Sequence, residues 1–122
     1  MNRTEDLRSS ALTPLHWLGI ALAFVTAAVH LVLGVGLLPH WMGLAFFAAT
    51  AGFLVGIWLV ATGRRRRLVY LLGIPFTGTQ IILWYLLNDP GSLDALGPAD
   101  VIDKTAQAAL IVVLIALYVR EA

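Results

Sequence analysis

Three histidines, His16, His30 and His40, are the side chains of this sequence best suited to chemistry, since imidazole gives and takes a proton near physiological pH and ligates metals. His16 and His30 stand fourteen positions apart in a stretch, residues 14–38, that carries no formal charge. At about 3.6 residues per turn this spacing places both on one helix face. Gly19, Ala23, Thr26, Ala27 and Gly34 lie close to the same stripe, so a second helix can approach closely and the face is expected to look inward. A metal shared by the three histidines is not expected: His16 and His40 fall at opposite ends of the helix, roughly a membrane thickness apart.

Other polar side chains sit at the depth of His30. Counted from the helix midpoints, Gln80, Asp103 and Gln107 all lie in the outer halves of their helices. Polar groups inside a membrane are costly unless they face partners, so these four are expected to form one cluster, with Tyr85 and Thr77 at its edges. Within it His30 is expected to matter more than His16, which can reach the interface. The pattern supports two uses: a hydrogen-bond network that fixes helix register, and a ligand or proton site built on His30. Catalysis is not expected. The spans hold no acidic pair, no nucleophile beside a base and no HExxH spacing, and the absence of cysteine removes thiolate and disulfide chemistry.

The elements that must hold these residues follow from composition. With 60% hydrophobic and 12% charged residues in 122, the chain has too much apolar surface for one small water-soluble domain. Four apolar helices are expected, about 14–38, 41–62, 68–87 and 101–119, giving a single all-α domain, an integral membrane four-helix bundle of up-down-up-down order. The first run is too long for the core of a secretory leader. Thr13 and Pro14 read as an N-cap and first helical residue, and Pro39 forces a tight reversal. Pro75 is expected to kink the third helix. Asp100 is expected to cap the fourth, with Asp103 in its first turn. The acidic link 88–99 lacks the spacing of a calcium loop.

Ala48, Gly52 and Gly56 recur every fourth residue, a seam suited to close helix packing and to a homodimer or another membrane partner. Four adjacent cations, Arg64, Arg65, Arg66 and Arg67, follow the second helix. Such a run anchors the cytoplasmic side and can meet anionic lipid head groups. It lacks the interleaved aromatics of a nucleic-acid surface. Arg3, Arg8 and Arg120 fall on the same side, so both termini are expected in the cytoplasm. Trp17, Trp58, Tyr70 and Tyr118 near the inner ends, and Trp41, Trp84 and Tyr85 near the outer, match interfacial belts.

The run Ala28-Val29-His30-Leu31-Val32-Leu33-Gly34, the opening Gly43-Leu44-Ala45-Phe46-Phe47, the Gly63-Arg64-Arg65-Arg66-Arg67 turn and Ile82-Leu83-Trp84-Tyr85-Leu86 together resemble uncharacterised small four-span membrane families of haloarchaea and actinobacteria. The resemblance implies a cell-membrane protein and brings no activity. Seven arginines against one lysine and the acidic link are similar to haloarchaeal usage. The expected function is an accessory or structural membrane protein that is not an enzyme and carries no cofactor. One alternative is a small-solute or proton transporter using His30. Another is a b-type haem protein, because the His16 and His30 spacing resembles di-haem cytochrome b helices. A second axial ligand would then have to come from a parallel dimer.

Overall fold

In the computed structural model, residues 11–88 and 97–121 are described. They form four helices, α1 Pro14–Leu37, α2 Trp41–Ala61, α3 Arg66–Asn88 and α4 Pro98–Arg120. Each is long and apolar enough to cross a membrane, and no strand occurs among the described residues.

The helix ends follow local chemistry. Thr13 caps α1: its hydroxyl accepts from the His16 amide at 3.4 Å, and the His16 ring Nδ1 accepts from the Thr13 amide at 3.0 Å. His40 caps α2, its Nδ1 accepting from the Met42 amide at 3.1 Å. At the far end of α2, Gly63 adopts φ 71°, the left-handed conformation that glycine takes without strain. This lets the Gly63 and Arg64 amides return to the carbonyls of Val60 and Leu59 at 3.1 and 2.8 Å, satisfying carbonyls the helix end would leave bare.

The start of α4 corrects the sequence expectation. Pro98 is the first helical residue, and Asp100 accepts from the Gly97 amide at 3.2 Å. Asp100 therefore closes the first turn from inside, as a third-position acid does. Proline's preset backbone angle moves the start ahead of the acid.

Contacts fix an antiparallel order. α1 packs on α2 and α4, α3 packs on α4, and α2 and α3 meet least. Around the bundle the sequence is thus α2, α1, α4, α3, with a loose seam closing the ring. A close backbone approach joins α1 and α2 beside their turn: a Cβ on Gly43 would lie 2.8 Å from the Gly34 carbonyl oxygen. In the core, Leu110, Val113, Leu114 and Leu117 of α4 bury against Ile20, Ala23 and Ala27 of α1. The outward faces are equally apolar, with Val32, Leu86 and Val112 about two-thirds exposed. Such a surface suits hydrocarbon, where helices are held by close packing and internal hydrogen bonds rather than by exclusion from water.

Candidate functional site

Two polar clusters punctuate this apolar bundle, one near the α1–α2 turn and one near the α2–α3 turn. In the first, His30 is buried on α1, and its Nδ1 lies 2.8 Å from the Thr26 carbonyl oxygen. A carbonyl only accepts, so this nitrogen carries the proton. The Thr26 hydroxyl donates to Asp103 Oδ1 of α4 at 2.5 Å, leaving His30 Nδ1 3.7 Å from the same oxygen. Lys104 Nζ meets the other Asp103 oxygen at 2.9 Å and donates to Gln107 Oε1 at 2.8 Å. Gln107 Nε2 then donates to Gln80 Oε1 of α3 at 2.8 Å. An ammonium only donates, so Lys104 sets the orientation of both amides in turn.

The network therefore unites His30, Asp103, Gln107 and Gln80. Thr77 is buried nearby, but its hydroxyl has no hydrogen-bond partner among the described residues. Tyr85 is 60% exposed and stands outside the network. Two members, Thr26 and Lys104, escape a reading by depth alone. Thr26 lies on the His30 stripe four residues away, where a hydroxyl passes for a small packing residue. Lys104 sits beside Asp103 in the first turns of α4, and its charge reads as an external one. Its stem instead lies inward, with Nζ 5.6 Å from the centre of the Trp84 ring, while Trp84 Nε1 donates to Asp100 at 3.2 Å.

In the second cluster His16, at the end of α1, is buried inside the bundle rather than reaching out of it. Its Nδ1 receives the Thr13 amide, so Nε2 bears the proton. That nitrogen lies 3.1 Å from the hydroxyl of Tyr70, on α3, and 3.2 Å from Glu121 Oε1, just past α4. Tyr70 is fully buried. Three helices are thus tied at one imidazole. Thr13-x-x-His16 at helix-cap spacing, with Tyr70 and Glu121 at matching depth, was the available signal.

The four arginines divide. Arg66 is buried, and its Nε donates to the Val60 carbonyl at 2.8 Å, where the helix dipole favours a cation. Arg64 lies over the Trp58 ring at 5.4 Å and Arg67 over Tyr118 at 4.7 Å, stacking that guanidinium favours. Arg65 is exposed, with φ 51°.

The small-residue seam of α2 faces α3 without sealing against it. Gly52 makes room for Phe76, whose Cζ would lie 2.6 Å from an added Cβ, and a Cβ on Gly56 would lie 3.7 Å from Val69. Ala48 is exposed. Two hollows of about 430 Å³ each run along this seam. One is bounded by His16, Tyr70, Phe53, Gly73, Thr77 and Leu114. The other lies toward the first polar cluster, among Ala45, Ala48, Ala49, Pro75, Thr79 and Gln80, and Phe76 borders both. Among the described residues, no three His, Asp or Glu side chains group as metal ligands.

Residues 2–118 match a family of unknown function, DUF7475, and the chain belongs to that family. No curated protein and no solved structure matches it.

Proposed function

We propose that this member of a family of unknown function is a non-enzymatic accessory protein of the cell membrane. In this proposal its polar clusters set helix register and its α2–α3 seam is the working surface. The observation that supports this best is the contrast between the two. The donors and acceptors of the His30 network are largely spent on one another, whereas the seam is left open, apolar and lined by small residues. The seam would take lipid-soluble molecules or a helix of a second membrane protein.

The His30–Thr26–Asp103–Lys104 chain supports a second use, proton transfer. Against it, His30 and His16 are about 21 Å apart along α1 at 1.5 Å per residue, and Ile20, Ala23 and Ala27 fill the buried face between them along with Thr26. A proton would have to cross that apolar layer. Proteoliposomes holding a pH-sensitive dye and an imposed gradient decide between the two. The accessory protein leaves the gradient at the rate of empty liposomes, whereas a collapse abolished by His30→Ala would establish transport.

A haem at His16 would displace Tyr70 and Glu121, so the purified protein is expected to be colourless. Both termini are placed in the cytoplasm of a plasma membrane, archaeal by its arginine-rich usage, because seven arginines fall on that side against Lys104 on the other. In intact cells an impermeant thiol reagent is expected to label Ser92→Cys and spare Ser9→Cys. The opposite pattern would invert the topology.

A further inference from the structure

Two buried donors face the α2–α3 seam with nothing to receive them. The Thr77 hydroxyl and the Gln80 side-chain nitrogen have no partner among the described residues, and they stand three residues apart on α3. For Gln80 the vacancy is imposed from outside. Lys104 holds Gln107 by its oxygen, Gln107 presents its NH₂ to Gln80, and Gln80 must answer with oxygen. Turning the Gln80 amide over would set one NH₂ against another, so its own NH₂ is left pointing away from the network. A buried donor without an acceptor is costly. The seam therefore lacks an acceptor, and it lacks it where there is space.

We propose that the seam binds a neutral, lipid-soluble molecule carrying a carbonyl oxygen, with that oxygen received by the Thr77 hydroxyl and its apolar body lying in the first hollow between Phe53, Phe76 and Leu114, while Gln80 borders the second hollow beyond Phe76. Among the described residues no Asp, Glu, Lys or Arg borders either hollow, which disfavours a charged ligand. The volume of about 430 Å³ falls in the range of small-molecule sites. From Tyr70 to Thr77 the hollow runs about 10 Å along α3, enough for one ring with a short tail or for a chain of about eight carbons. Entry is sideways: Val55 and Leu72 at its edge are each 56% exposed on the apolar flank of the bundle. The inference rests on the seam being the working surface, and it selects a small lipid over a partner helix as the occupant.

A ring ketone and a chain ketone share this chemistry, and three probes separate them. Purified protein in mild detergent is titrated with tetramethyl-1,4-benzoquinone, 2-undecanone and undecane, and bound molecules are counted by native mass spectrometry. One carbonyl probe is expected to bind one per protein, about tenfold more tightly than undecane, the worth of about one hydrogen bond. Which probe binds identifies ring or chain. Thr77→Val is expected to erase most of that preference and Thr77→Ser to keep it. Gly56→Leu, which grows into the hollow from α2, is expected to weaken binding by about tenfold. Undecane binding as tightly as the carbonyl probes would overturn the proposal, as would a preference that survives Thr77→Val. The chain has no cysteine, so Gly56→Cys also reports on the seam in native membranes. A disulfide between two copies there would show a protein occupant, overturning the ligand while leaving the seam as the working surface.

Discussion

Asp103→Ala is expected to lower the unfolding free energy in detergent by about 3 kcal/mol, the scale seen when one partner of a buried ion pair is removed. Its carboxylate takes the Thr26 hydroxyl on one oxygen and Lys104 on the other. Without it Thr26 loses its acceptor, and an ammonium is left with a single neutral partner, Gln107. The loss should spread beyond the pair, because Lys104 orients the amides that join α4 to α3. Asp103→Ala with Lys104→Leu is therefore expected to recover part of the stability, since it removes the stranded charge along with its partner. Denaturant titration followed by far-UV circular dichroism measures both. A loss below about 0.5 kcal/mol in the single variant, the size of an average hydrogen bond between membrane helices, would show that the network does not hold the register.

The second large effect reverses the order expected from depth in the sequence. His16→Leu is expected to cost about 2 kcal/mol and His30→Leu less. Removing the His16 ring takes one of two partners from the fully buried Tyr70 hydroxyl, which keeps Glu121, a loss of about 1 kcal/mol. It also breaks the reciprocal cap with Thr13, typically about 1 kcal/mol, and takes the imidazole from Glu121. His30 donates within its own helix, to the Thr26 carbonyl, and otherwise rests against the rings of Phe46 and Phe53 at 5.0 and 6.0 Å. A leucine can fill much of that space. Melting temperatures of the two variants in one detergent settle the ranking, and a larger drop for His30→Leu would sink it.

That reversal shows what was legible in the sequence. The four helices could be read because uncharged runs, Thr13-Pro14, Pro39 and Gly63 mark their limits by strong local rules. His30, Gln80, Asp103 and Gln107 could be grouped because depth along antiparallel helices is nearly a one-dimensional count. Depth does not give rotation, however, and so Tyr85, placed at a suitable height, turns outward. Nor does it say where a long side chain ends: Lys104 and Arg66 are charges that fold back into the bundle. The periodicity of Ala48, Gly52 and Gly56 announces room beside α2 without naming the guest. In the fold that room receives the Phe76 ring and leaves a hollow, while a close backbone approach falls at Gly34 and Gly43, which share no sequence repeat.

The placement of the ties gives the molecule unequal stiffness. α1 and α4 are fastened at both ends, by Thr26 to Asp103 and by His16 to Glu121, like the spine of a book. α2 is bound to α1 by the Thr50 hydroxyl on the Ala27 carbonyl at 3.2 Å, and α3 is bound to α4 by Gln80 with Gln107 and by Trp84 with Asp100. These pairs are the two covers. Near the α2–α3 turn Arg66 holds Val60 and Tyr70 reaches His16, and farther along the seam α2 and α3 meet through apolar contacts such as the Phe53 and Phe76 rings, 5.1 Å apart. Widening the fore-edge at Phe53 and Phe76 separates dispersion contacts, so the cross-section yields to lateral pressure there and resists it along the spine and at the hydrogen-bonded turn end.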